Sequence, residues 1–209
     1  MSRIERIKGG TDNCYIVSEG KTAILVDTSS GACLEQVLSA CSGYDMKLIV
    51  LTHPHFDHAE NAAVLSEKWG VPVAMHEADL ALFDSYDAQP LKSKGIVGRV
   101  VLGLSLKVLR NTKVRRPENL IFVKEGDSLA EYGIDGTIVE LPGHTDGSIG
   151  VVVGKDTVLV GDAMDNWIRP SIGHLYSDWA AMERSMTKLR AMSGRMVYYG
   201  HGKPTKMKG

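Results

Sequence analysis

Apolar residues recur along this chain at two periods, and each change of period marks an element. Short strand-like runs, Ile4 to Ile7, Cys14 to Val17 and Thr22 to Val26, are separated by Gly9-Gly10-Thr11-Asp12-Asn13 and Glu19-Gly20-Lys21, the pattern of an antiparallel meander. From about Ala32 to Ser42 the spacing lengthens. Leu34, Val37, Leu38 and Cys41 fall at helical intervals, and Gly43 supplies a stop. A buried strand, Met46 to Leu51, follows, then a helix predicted from near Asp57 to Trp69 that Gly70 would end. Val71 to Met75 reads as another strand, leading to a short helix that begins at His76-Glu77-Ala78-Asp79.

The second half repeats the mixture. Strands are predicted at Leu120 to Val123, Thr137 to Leu141, Ile149 to Val153 and Thr157 to Val160. Ser177 to Met192 is an amphipathic helix, with Trp179, Met182, Met186 and Leu189 on one face and Glu183, Arg184, Lys188 and Arg190 mostly off it. A last strand, Met196 to Tyr199, delivers His201. Two mixed halves of this kind predict an α+β protein, two sheets face to face with helices outside, in a single domain over residues 1–209.

One stretch breaks the pattern. From Ala88 to Pro117 there are eight basic residues (Lys92, Lys94, Arg99, Lys107, Arg110, Lys113, Arg115, Arg116) and no acidic one, interleaved with Ile96, Val97, Val100, Val101, Leu102, Leu104, Leu106, Val108 and Leu109. The formal net charge of the whole chain is only −1, so the remainder is acidic. Residues 80–118 are therefore read as an insertion, a lid or a dimer element. Nucleic acid is not the expected partner, because the cations alternate with large aliphatics and no aromatic residue is present for base stacking. Gly95, Gly98 and Gly103 would weaken a long interfacial helix, no run approaches a membrane span, and no membrane partner is expected. Cys14, Cys33 and Cys41 form no C-x-x-C pattern and read as reduced thiols, and residues 1–20 lack the apolar core of a secretory signal. A cytoplasmic location is the expectation.

The chemistry gathers at strand ends. His53-Pro54-His55-Phe56-Asp57-His58 follows the Met46–Leu51 strand, with imidazoles and a carboxylate that suit zinc or another borderline divalent metal. Pro142-Gly143-His144-Thr145, Gly161-Asp162 and Gly200-His201-Gly202 each follow another strand. In each a glycine adjoins the ligand candidate, which lets the backbone approach a crowded site closely. The set H-x-H-x-D-H, G-H-T, G-D and G-H-G, in that order, resembles the metallo-β-lactamase-fold hydrolase superfamily, including glyoxalase II-like members. The resemblance implies an αββα sandwich with a two-metal site at the edge of its sheets. By that resemblance His53, His55 and His144 hold one metal, Asp57, His58 and His201 the other, and Asp162 bridges them. Thr52 and Thr145 would orient ligand histidines.

The implied activity is metal-dependent hydrolysis of a small ester, thioester or lactone by a metal-bridging hydroxide. Asp57 is the catalytic candidate for proton transfer, and two divalent ions, zinc first with iron or manganese as alternatives, are the cofactors. A mononuclear-iron oxidoreductase resembling the persulfide dioxygenases is the alternative, in which Asp57, His58 and His201 fall outside the metal shell. A phosphodiesterase or nuclease ranks below it. Glyoxalase II carries a C-terminal helical region that helps bind glutathione, whereas only eight residues follow His201, so glutathione specificity is not expected. Lactonases of the superfamily place a tyrosine where this chain has Asp165, which weakens that option. Trp167, Arg169, His174 and Tyr176, on the loop after Asp162, are the candidate substrate contacts. The expected partner is a small-molecule substrate, anionic if cations of the insertion face it, with a homodimer through residues 88–117 as the expected assembly. Glu60 is expected on a helix surface, and His76 in a structural role.

Overall fold

In a computed structural model, which describes residues 2–109 and 111–207 with the side chain at 97 left out, the first half builds one sheet. β1 (Arg3–Lys8), β2 (Asn13–Glu19) and β3 (Thr22–Val26) form the expected antiparallel meander. α1 (Leu34–Cys41) carries the chain to β4 (Asp45–Val50), parallel to β3. α2 (Phe56–Ala59) and α3 (Ala62–Trp69) lead to β5 (Val73–Met75). β6 (Lys92–Ser93) and α4 (Gly95–Leu109) intervene before β7 (Leu120–Phe122) completes the order β1-β2-β3-β4-β5-β7.

The second half builds the other sheet. β8 (Gly136–Glu140), β9 (Ile149–Val153) and β10 (Thr157–Leu159) are again an antiparallel meander. Three short strands follow, β11 (Met164–Asp165) paired with β12 (Ser171–Ile172), and β13 (Leu175–Tyr176) paired with β6. After α5 (Trp179–Arg190), β14 (Met196–Tyr198) lies parallel to β10, and β15 (Thr205–Lys206) forms the edge.

Alternation along the strands divides the core into layers. Tyr15, Val17, Ile24, Val26, Leu48 and Val50 face Ile138, Ile149, Val151 and Leu159 of the second sheet. Their neighbours Ile16, Leu25 and Ile49 point the other way, toward Val37 and Cys41 of α1 and Leu65 of α3. Val139, Val158 and Val197 cover the outside of the second sheet together with Leu189 of α5. The result is the αββα sandwich. Burying one such side chain contributes about 1.5–3 kcal/mol. A one-residue slip would exchange the faces of a whole strand, so the register is strongly specified.

Parallel strands bring the chemistry to one edge. β3 and β4 run together, β10 and β14 run together, and β8 is parallel to β10 through the two antiparallel pairings of β9. The segments after β4, β8, β10 and β14 hold the ligand candidates, and the segment after β3 holds Asp27. Backbone bonds stitch the two sheets at this edge, Asn13 N to Gly200 O at 2.8 Å and Ile149 N to Thr52 O at 2.9 Å.

Three local expectations change. The helix predicted near Asp57 to Trp69 is two helices, broken at Glu60-Asn61. The break has a cause: the Asn61 amide donates to the carbonyls of Thr28 (2.9 Å), Ser29 (3.2 Å) and Ser30 (2.8 Å), and Gly31 N donates to Glu60 Oε2 at 2.6 Å. Glu60 is thus a half-buried clamp on the loop after β3 rather than a surface carboxylate. The insertion forms a continuous 15-residue helix, α4, despite its three glycines. Gly98 is the buried one, and a Cβ there would stand 3.2 Å from both the His174 carbonyl and Ser93 Cβ, so glycine lets α4 seat closely on β6 and β13. Arg110 and the Val97 side chain lie outside the described residues.

The Asn61 clamp makes a prediction that size alone would not. Asn61→Ala should destabilise by about 1–3 kcal/mol, the cost of buried carbonyls left without a donor. Asn61→Asp, nearly isosteric, should destabilise more, because its carboxylate would face three carbonyl oxygens. Urea unfolding of both variants measures this, and an Asp variant as stable as wild type would contradict it.

Candidate metal centre

All seven ligand candidates meet at the sandwich edge. His53 and His55 come from the loop after β4, Asp57 and His58 from α2, and His144, Asp162 and His201 from the segments after β8, β10 and β14. Potential ligand atoms of His53, His55 and His144 lie within 4.8 Å of one another, as do those of Asp57, His58 and His201, and those of His53, His58 and Asp162. Asp162 spans the groups: Oδ1 is 3.4 Å from His58 Nε2, while Oδ2 is 3.7 Å from His144 Nε2 and 3.3 Å from His201 Nε2. Asp57 Oδ2 stands 3.4 Å from His201 Nε2.

Four of the five rings are held from outside. His144 Nδ1 meets the Leu175 carbonyl and His201 Nδ1 the Thr11 carbonyl, both at 2.9 Å. A carbonyl can only accept, so Nδ1 carries hydrogen in both rings and Nε2 is directed inward. His58 Nδ1 lies 2.8 Å from Asp27 Oδ2 and donates to it. Thr52 Oγ1 also donates to Asp27 Oδ2, at 2.9 Å, so its remaining lone pairs accept from His53 Nδ1 at 3.1 Å. Asp27 therefore sets the tautomer of His58 directly and of His53 through Thr52. Sequence reading missed Asp27. Its position after β3, at the same edge as the motif, is the signal that could have found it. Thr52 orients a ring as expected, whereas Thr145 does not: its hydroxyl donates to Asp79 Oδ2 at 2.6 Å and ties down the loop that carries His144. His76 caps a 3-10 turn through Nδ1, a structural role.

The inward-facing atoms fit divalent cations. His53 Nε2, His58 Nε2 and Asp162 Oδ1 are buried without a hydrogen-bond partner among the described residues. Such an orphan costs about 1–3 kcal/mol, and three side by side, all of ligand type, match a shared cation. Glycine is required where the backbone touches them. A Cβ on Gly200 would collide with Asp162 Oδ1 and His58 Cε1.

Electrostatics separate the ligands. Burial and the neighbouring imidazoles push His53 well below its ordinary range, and burial with His144 takes His55 to about 3. For His58 burial acts downward but Asp162, Asp27 and Asp57 outweigh it, raising it to about 10. His201 is likewise raised against its burial by Asp162 and Asp57. Asp57 is lowered to about 2, its burial overcome by His58 and His201. The same carboxylates that raise His58 and His201 draw protons and cations alike, so metal binding at these nitrogens competes with protons.

A cavity of about 390 Å³ opens over the centre. Its floor is His55, Asp57, His144, Asp162 and His201, and its roof is Leu91 with Val101, Leu104, Val108 and Leu109 of α4. Trp167 stacks on His201, ring centroids 5.0 Å apart. His174 also lines the cavity, with Nδ1 and backbone N both bonded to buried Asp165. Arg169 is exposed and Tyr176 packs on Trp179 at 5.1 Å, and neither lines the cavity. Asp165 was not among the expected site residues, whereas aliphatics of the insertion over the site mouth are what a lid would supply.

Asp27→Asn tests how the rings are held. The amide keeps the shape but turns hydrogens toward donors, so metal affinity should fall about 10–100-fold while the fold is retained. Competition with a chelator measures it, and unchanged affinity would contradict the role given to Asp27.

Comparison with known proteins places this geometry. The family model for the metallo-beta-lactamase superfamily matches residues 7–201. An uncharacterized protein of Mycobacterium tuberculosis is 29% identical over 164 residues, 73% of this chain and 67% of that one. Hydroxyacylglutathione hydrolase GloC of Haemophilus influenzae is 29% identical over 157 residues, 73% of this chain and 66% of that protein. The solved structure of TTHA1623 in a di-iron-bound form is 25% identical and matches with a TM-score of 0.70, over 97% of this chain and 94% of that one. From a match spanning almost the full length, and a sandwich shared with solved members, it follows that this chain belongs to the metallo-beta-lactamase superfamily.

Proposed function

We propose that the chain is a metal-dependent hydrolase of small esters, thioesters or lactones that carry an apolar group. One juxtaposition carries this: two ligand sets bridged by Asp162 form the floor of a cavity whose roof is aliphatic. His53, His55 and His144 would hold one divalent ion, Asp57, His58 and His201 a second, and Asp162 both. Zinc suits these donors, and iron or manganese would accept them. Such ions supply an activated water near neutral pH and polarise the carbonyl under attack.

The remaining work falls to side chains. Leu91, Val101 and Leu104 hold the apolar part of the substrate and exclude water. Asp57, 20% exposed at its side chain and open to the cavity, accepts a hydrogen bond from the attacking water and orients it, and the proton released on attack goes to solvent. His174 serves the leaving group. Its Nδ1 is engaged by Asp165, its ring is 27% exposed, and Nε2 makes no protein hydrogen bond among the described residues. As the C–O or C–S bond breaks, its electron pair stays with the leaving atom, which takes up a proton that His174 Nε2 relays from solvent. The similarity to a hydroxyacylglutathione hydrolase adds hydroxyacylglutathiones to the thioesters to be assayed.

The test is hydrolysis of nitrophenyl esters, alkyl esters, acyl thioesters and lactones by metal-loaded and chelator-stripped protein. Turnover should vanish on stripping and return with metal. His55→Ala should abolish it with the circular dichroism spectrum unchanged. His174→Ala should slow alkyl esters about 10²–10⁴-fold and nitrophenyl esters far less, since only the poorer leaving group needs the proton. Activity in metal-free protein, or oxygen consumption by a one-iron form that hydrolyses nothing, would overturn the proposal.

A further inference from the structure

α4 carries an exposed apolar stripe that runs from solvent to the mouth of the cavity. Ile96, Val100, Leu104 and Val108 are four residues apart, hence on one helix face, and are 81, 60, 67 and 41% exposed. On the loop after Asp162, Trp167 is 47% and its neighbour Ile168 90% exposed. Leu104, Val108 and Trp167 also line the cavity, so this apolar surface continues into the site.

Positive charge flanks the stripe. Arg99 and Lys107 are exposed on α4 and no acidic residue occurs from 88 to 117, while Lys92 and Lys94, just before the helix, turn their ammonium groups to the Ser177 carbonyl and the Trp179 ring. Whatever covers this face must be apolar and anionic together. A second copy of the chain meets only the first requirement, because a twofold contact through one patch would set the cations of both copies against each other. An anionic lipid surface meets both: the aliphatics enter the acyl boundary while Lys and Arg stems reach back to the headgroups.

The helix suits lying on such a surface. No helix among the described residues is long and apolar enough to cross a membrane. The glycines that speak against an interfacial helix in the sequence do not interrupt this one. Buried Gly98 lies on the side opposite the stripe, against Ser93 and the His174 carbonyl. We propose that α4 is an interfacial helix that seats this face on an anionic lipid surface, with the cavity mouth turned toward the lipid. This departs from the expectation of no membrane partner, and it does not depend on which bond the centre cleaves.

Sedimentation of the metal-loaded full chain with phosphatidylcholine vesicles, with and without phosphatidylglycerol, tests it. Partition should be at least about tenfold stronger with phosphatidylglycerol present and should weaken as salt is added. The double variant Ile96→Glu, Val100→Glu should lose it while keeping wild-type metal content, since both positions are exposed. Arg99→Glu with Lys107→Glu should lose the preference for the anionic lipid, and decides alone if the first variant misfolds. No sedimentation, or equal partition to both vesicles, overturns the proposal. So does a wild-type dimer that Ile96→Glu, Val100→Glu converts to monomer, which would assign the face to a second copy.

Discussion

Asp27 accepts hydrogen bonds from Thr52 N at 2.7 Å, Thr52 Oγ1 at 2.9 Å and His58 Nδ1 at 2.8 Å, all in a buried site. The orientation of two ligand rings depends on that carboxylate, and the carboxylate depends on an unfavourable backbone. Asp27 and Ser29 both take left-handed conformations, φ 59° and 63°, which cost non-glycine residues of order 1–3 kcal/mol each. The loop is held in place by the Asn61 amide, by Glu60 on Gly31 N, and by the Ser29 hydroxyl on Asp12. The break between α2 and α3 is what frees Glu60 and Asn61 for this purpose. A local departure from regular helix thus supports the geometry of the centre.

The sandwich supplies the other half of the arrangement. Parallel strands in each sheet end at one edge, so ligands distant in sequence arrive together without long loops. The ligands divide by electrostatic surroundings as well as by position. His53 and His55 sit among other imidazoles, which with burial lower them, while His58 and His201 face Asp57 and Asp162, which raise them. Asp162 touches both regions through its two oxygens.

Much of this could be read from the residues. Period-two runs located all the longer strands, and the histidines after them marked the edge, because strand ends and metal ligands both leave local signatures. Asp27 did not stand out, since an aspartate after a strand is common and its partners Thr52 and His58 are 25 and 31 residues away. Asp165 escaped because its partner His174, nine residues on, is brought to it by the packing of the loop between them. The glycines of α4 misled in the other direction. Helix propensity disfavours them, but Gly98 gains a close seat on β6 and β13, and tertiary packing outweighs the local cost. Arg169 and Tyr176 were expected near the substrate from their loop alone, yet direction along a loop is set by packing that sequence does not display.

Metal content per chain is the most direct measurement. Protein loaded with excess divalent metal, freed of unbound ions and analysed by elemental analysis, should hold two ions per chain. One ion per chain, whatever the metal, would contradict a carboxylate shared by two sites and would leave Asp57, His58 and His201 outside the metal shell.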